Sequence, residues 1–454
     1  MTRTVVINAV GLTRRIAQQM PSLRSFGRAS TIGHVMPAVT CSVQATYLTG
    51  TLPREHGIVG NGWYFRDECV IRFWHQSDKL VQRPRIWEIA SRRDPSFKTA
   101  NLFWWNAMYS AADITATPRP MYPADGRKIP DIWTHPPRLR NELQTTFGQF
   151  PLFKFWGPAA AIESSEWIAN AAIHVDRQSK PDLTLIYLPH LDYSLQKFGP
   201  DAPQITSEIQ QLDNVLRMLL EYYQNEAGTR AIILSEYGIA PVHQPVHLNR
   251  VLNAHGLLTL RREIDGDLLD AGASAAFAVA DHQVAHVYVN ERSRLNEVEQ
   301  LLRSTPGVAE VLSRDAQYAA GIDHPRSGDL LVVAAEGSWF TYYYWLEDSD
   351  QRPPGFARTV DIHRKPGYDP VELFIDPEIS NPKARIGWTL MKRRMGFRTL
   401  LDVIPLDASL VKGSHGRAPA DADAAPVWLE ARRSGSGEDV IDPTSVCERI
   451  LQAP

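Results

Sequence analysis

Short runs of apolar, often β-branched residues alternate along this chain with longer stretches whose apolar side chains recur every three or four positions. The runs are TVVINAV from Thr4, LTLIYL at Leu183–Leu188, RAIILS at Arg230–Ser235 and VAHVYV at Val284–Val289. They are short and nearly continuous in hydrophobicity, which predicts strands buried on both faces by helices. Between the second and third runs, Ile205, Ile209, Leu212, Leu216, Leu219 and Tyr223 follow Gly199, Pro200 and Asp201 at helical spacing. That pattern predicts an amphipathic crossover helix. Strand, helix, strand in this order predicts an α/β fold with a mostly parallel central sheet flanked by helices. Ligand sites in such sheets lie beyond the carboxyl ends of the strands.

The pattern breaks in two places. Residues 103–156 are rich in aromatics, prolines and turn residues, which predicts a cap outside the central sheet. Residues 248–329 hold a helix with Leu295, Val298 and Leu301, a Pro-Gly turn and the strand VAEVL, and predict a small α+β lobe. With these as insertions, residues 1–418 form one domain. Residues 419–454 turn Ala-, Gly-, Ser- and Asp-rich and read as a loosely held C-terminal tail.

Composition narrows the partner. The 454 residues are 44% apolar and 22% charged, enough for one sizeable core. A net charge of -3 advertises neither a nucleic-acid polymer nor an anionic membrane surface, so a small molecule is the expected partner. Three cysteines, Cys41, Cys69 and Cys447, are too few and too scattered for a disulfide framework. No apolar run approaches the roughly 20 residues of a membrane span, and the chain opens directly into a strand, so a cytoplasmic location is expected. A homodimer is compatible with the sequence but not specified by it.

The candidate chemistry starts at Thr40, which follows Pro37, Ala38 and Val39 and precedes the helix-compatible run Val43 to Leu48. A hydroxyl at a helix N-terminus sits where free N–H groups favour an alkoxide or phosphate. Local sequence alone equally describes an ordinary N-cap threonine. Thr49 to Asn61 (TGTLPREHGIVGN) then adds a long, specific segment. Together these residues resemble the nucleotide pyrophosphatase/phosphodiesterase (type I phosphodiesterase) family of the alkaline phosphatase superfamily, in a bacterial form. LIYLPHLDYSLQKFGP from Leu185, AIILSEYGI from Ala231 and KGSHGR from Lys412 extend the likeness through most of the chain.

The resemblance implies an alkaline-phosphatase-like fold, Thr40 as nucleophile and Asn61 as a phosphate ligand. It also implies a divalent-metal centre, commonly zinc, with Asp192, Glu236 and His415 as ligands. Yet where the family has Asp-Gly, Asp-x-x-x-His and Asp-His, this chain has Val10-Gly11, Asp192 with Gln196, and Glu236-Tyr237. An oxygen-rich remainder suits magnesium or manganese better than zinc. Further candidates are Asn8, Gln196, Tyr237, His190, Asp361 and His363, the last two at i, i+2 on one face if extended. Asp281, His282 and His286 form another polar cluster. Arg326 is a candidate phosphate clamp, and Trp104 and Trp105 are candidate stacking residues or core fillers. The leading expectation is a metal-dependent hydrolase of phosphodiester or pyrophosphate bonds. Two other readings stay open: a non-catalytic binder of a phosphorylated or prenylated small molecule, and a phosphotransferase or mutase on the same fold.

Overall fold

The structure is a computed structural model and describes residues 3–27, 29–124, 127–225, 229–397, 399–431 and 440–452. A nine-stranded sheet organises it. In chain order the strands are β1 Thr4–Ala9, β2 Ala29–Ile32, β3 Thr99–Leu102, β4 Ile114–Pro118, β5 Ile132–His135, β6 Leu183–Leu188, β7 Arg230–Leu234, β8 Val427–Glu430 and β9 Val440–Ile441. Their order across the sheet is β9-β2-β8-β7-β1-β6-β3-β4-β5. The four central strands β7, β1, β6 and β3 run parallel, and β8 and β5 run antiparallel to their neighbours. β1 and β6 are buried along their whole length, as expected of strands covered on both faces.

Four helices matter for the site: α1 Thr40–Thr49, α2 Glu163–Ser179, α3 His190–Phe198 and α4 Ile205–Asn225. In α4 the six apolar positions of the crossover pattern are all buried, so the helical period is what seats it against the sheet. No helix among the described residues is long and apolar enough to cross a membrane.

Three expectations are corrected. VAHVYV at Val284–Val289 is not a central parallel strand; it pairs antiparallel with Ala276–Asp281 and Leu330–Ala334 in a separate four-stranded sheet. Uninterrupted hydrophobicity marks burial on both faces, and this lobe supplies that burial as well as the main sheet does. The aromatic segment 103–156 is not wholly a cap, because β4 and β5 within it extend the central sheet. The described part of the tail is not loosely held either. β8 lies between β2 and β7, pairing Trp428 with Leu234 and Leu429 with Ile233, and its Val427, Trp428 and Leu429 are buried.

Candidate active site

The site forms where β1, β6 and β7 end. Asn8 is the penultimate residue of β1 and lies in register with Tyr187 of β6 and Leu234 of β7. The chain leaving β6 enters α3, whose first turn carries Asp192. The chain leaving β7 delivers Glu236 and Tyr237.

Thr40 is the first residue of α1 and is 3% exposed. The preceding Val39 has no side chain able to cap, so the orphan N–H groups of the first turn need other partners. Asn61 supplies one: its Oδ1 accepts from the Cys41 N–H at 3.0 Å. The Asn61 amide nitrogen and backbone N–H in turn donate to Asp281 at 3.0 and 2.7 Å. Asn61 therefore locks the start of α1 with its donors turned to Asp281. Gly60 makes this approach feasible, since a Cβ there would lie 3.2 Å from Asp281 Oδ2.

Tyr237 holds the centre. Its hydroxyl stands 2.9 Å from Thr40 Oγ1 and donates to Asp192 Oδ1 at 3.3 Å. The other Asp192 oxygen accepts from Gln196 Nε2 at 2.9 Å, and Gln196 Oε1 accepts from the Tyr368 hydroxyl at 2.9 Å. His415 Nδ1 donates to the Ala38 carbonyl at 2.7 Å, and its Nε2 lies 3.8 Å from Asp192. Glu236 Oε1 accepts from Asn8 Nδ2 at 2.6 Å and Gln44 Nε2 at 2.5 Å. Gln44 in turn accepts from the Trp105 N–H at 2.6 Å.

Electrostatics follow from dryness. Burial pushes the Asp192 carboxyl up to about 7, against the opposing donors Gln196 and Tyr237. It pushes Glu236 up to about 8, against Gln44 and Asn8. It lowers His415 to about 3, so this imidazole is neutral. The walls are aromatic: His282 stacks on Tyr368 at 3.7 Å and packs tilted by 36° against His415 at 3.6 Å, and Trp156 lies edge-on to Tyr193. His282 reaches there from the tip of the lobe hairpin with φ +63°. The lobe thus forms part of the site wall.

The residues present do not fit the expected divalent-metal centre. Val10 has no ligand atom. Asp192 and Glu236 already accept two hydrogen bonds each from neutral side chains, and the Tyr237 ring occupies the space beside His415. Among the described residues, no group of three or more His, Cys, Asp or Glu side chains is placed to hold a metal ion. Amide and phenol donors engage both Asp192 oxygens and Glu236 Oε1, while Glu236 Oε2, Asn8 Oδ1 and His415 Nε2 have no hydrogen-bond partner among the described residues.

Other candidates lie elsewhere. His190 is in α3 and contacts Glu208 at 3.0 Å. Asp361 and His363 are in a turn rather than a strand; the Asp361 N–H binds Glu372 and His363 sits 3.3 Å from the Phe73 carbonyl. Arg326 Nη1 donates to the Gly57 and Leu80 carbonyls at 2.7 Å each, which ties this side chain to that loop. Trp104 is fully buried with its indole N–H on the Ile186 carbonyl, a core residue. Trp105 supports Gln44 from behind. A cavity of about 530 Å³ is lined by Arg66, Arg292, Arg314 and Asp329, away from Thr40. Gln44 and Tyr368 belong to the network and were not singled out from sequence. Gln44 carries a usable signal, four residues after Thr40 on the same face of α1.

A profile described as Type I phosphodiesterase / nucleotide pyrophosphatase matches residues 4–369. The chain belongs to this family. An uncharacterized pyrophosphatase/phosphodiesterase of Schizosaccharomyces pombe is 24% identical over 208 residues, 45% of this chain and 37% of that relative. Murine ectonucleotide pyrophosphatase/phosphodiesterase 5, in an inactive form complexed with AMP, superposes with TM-score 0.60 at 15% identity, covering 99% of this chain and 94% of that one. Phosphonoacetate hydrolase of Sinorhizobium meliloti with phosphonoformate gives TM-score 0.60 at 14% identity, covering 99% and 95%. At such identities these structures establish the fold, a type I phosphodiesterase architecture with a mostly parallel sheet.

Proposed function

We propose that this chain cleaves a small phosphodiester or pyrophosphate with Thr40 as nucleophile, and that Tyr237 and Asp192 handle the proton in place of a metal. The observation that carries the reading is the Tyr237 hydroxyl standing between the Thr40 oxygen and the Asp192 carboxylate. As Thr40 Oγ1 attacks phosphorus and the bond to the leaving oxygen breaks, its proton passes to the Tyr237 oxygen while the Tyr237 proton passes to Asp192. The departing alkoxide takes a proton from water, the hydroxide so formed attacks the phosphothreonine, and as that ester breaks the Asp192 proton returns through Tyr237 to the Thr40 oxygen. The N-terminus of α1 favours the anionic group at this position.

The test is turnover of bis-p-nitrophenyl phosphate by chelator-treated protein. Thr40→Ala and Tyr237→Phe are expected to lose activity, with Thr40→Ser retaining part of it. Unchanged turnover in Thr40→Ala removes the nucleophile, and activity only after adding zinc, manganese or magnesium removes the metal-free relay.

A second reading is a non-catalytic phosphoester binder. It is favoured by the burial of Thr40 and by the Asn61 amide donating to Asp281 rather than facing open space. Saturable binding of a nucleotide by protein without turnover would select it.

A further inference from the structure

The net charge of the whole chain conceals a local reversal. Between Asn381 and Leu401 the sequence holds Lys383, Arg385, Lys392, Arg393, Arg394 and Arg398 and no acidic residue. Most of this stretch is a helix, α5 Pro382–Arg394, started by Asn381, whose side chain accepts from the Ala384 N–H at 3.0 Å. Thr389 is the buried residue of α5, and Ile386 packs half-buried against the lobe core.

The outer face is the apolar one. At 100° per residue, Ala384, Trp388, Met391 and Met395 form a single stripe opposite Ile386, Thr389 and Arg393. Trp388 is 52% exposed, Met391 46% and Met395 56%, and Phe397 at 62% and Leu400 at 46% continue the patch beyond the helix. Arg385, which is ion-paired with Asp402, and Lys392 border the stripe on one side, Lys383 and Arg394 on the other. A helix that only covers a core would bury its apolar stripe and expose its charges. Here the stripe and its basic borders face outward together.

We propose that α5 docks this protein on the surface of an anionic lipid bilayer. Trp, Met and Phe side chains on one face, flanked by Lys and Arg, suit insertion at the headgroup boundary with the cations on anionic headgroups. Both borders are basic, so a second copy seated on the stripe in either direction would set like charges side by side. A nucleic acid would meet the cations but leave Trp388, Met391 and Met395 without apolar cover. The chain that leads into α5 touches the helix carrying two of the site residues. Residues Pro370–Leu373, just before the α5 segment, pack on α3, which carries Asp192 and Gln196, and the Lys197 ammonium stands 5.8 Å from the Phe374 ring.

Co-sedimentation of the full chain with vesicles tests this directly. Binding is expected to phosphatidylcholine vesicles containing phosphatidylglycerol, to be weak on phosphatidylcholine alone, and to fall as salt is raised. Lys392→Glu with Arg394→Glu should weaken the partition by about fivefold or more per cation removed. Trp388→Ala with Met391→Ala should weaken it by about tenfold, and the melting temperature of both double variants should stay near that of the parent. Absence of binding to either vesicle, or binding that neither double variant alters, overturns the proposal. So does a dimer in light scattering that Trp388→Ala with Met391→Ala converts to monomer, since a second copy would then be the occupant.

Discussion

The Tyr237 ring lies flat on the His415 imidazole, with 3.6 Å between centroids and 7° between planes. The neutral imidazole is packed under the phenol, and its Nε2 has no hydrogen-bond partner among the described residues. The hydroxyl of the same tyrosine bridges Thr40 and Asp192, so one side chain fills space and satisfies two polar groups.

Restoring the family's residue types should therefore restore a metal centre. A chain carrying Val10→Asp, Gln196→His, Glu236→Asp and Tyr237→His is expected to retain zinc after desalting, measured by elemental analysis. The parent chain is expected to retain far less than one equivalent. Stoichiometric zinc in the parent would refute the argument from its donor set.

Asp281 sets a pH dependence of stability. Burial raises its carboxyl from 3.8 to about 7, opposed by the two Asn61 donors. The raised value means the folded state holds the proton more tightly than the unfolded chain does. Its contribution is complete below the ordinary value of 3.8 and is lost as pH rises through about 7. Denaturant unfolding of the parent and Asp281→Asn across that window should show their difference shifting against the parent by about 2 to 4 kcal/mol. Parallel curves would mean that Asp281 does not titrate in this way.

Gly57 should resist substitution. Its φ of +73° is left-handed, and a Cβ would lie 3.0 Å from Arg326 Nη1 and 3.1 Å from Gln82. Gly57→Ala is expected to cost roughly 1 to 2 kcal/mol in urea unfolding. A neutral result would show that the Arg326 bracket on this loop gives way.

Removing residues after Ala418 should abolish cooperative unfolding, because β8 is a strand of the central sheet. Trp428→Ala is the milder companion, leaving the chain complete. Truncating this buried side chain is expected to cost about 3 to 5 kcal/mol, read from thermal or urea melts. Retained cooperative melting by the shortened chain would contradict the strand's place in the sheet.

The parallel core was legible because β1, β6, β7 and α4 write their burial into periodicity. Thr40, Asn61 and Asp192 were legible because the loops around them carry specific spacing. Tyr237 and Gln196 could be marked as departures from a ligand set, but not as members of a hydrogen-bond network, since that depends on which distant side chains they meet. Arg326 shows the same limit: its guanidinium could serve an anion or two carbonyls, and the fold selected the carbonyls of Gly57 and Leu80. β8 escaped notice because four residues in a polar, Gly- and Ser-rich neighbourhood are too few to show a period. Their partners in β2 and β7 lie roughly 200 to 400 positions away, beyond the reach of any local pattern.

That separation bears on how the molecule is made. While the ribosome is still delivering residues before Val427, β7 presents unpaired backbone groups along one edge, and β2, whose neighbours β8 and β9 both come later in the chain, along both. Final closure of the sheet must wait for translation to pass Ile441, which leaves the nascent polypeptide open to mispairing, and to chaperone capture, for most of its synthesis.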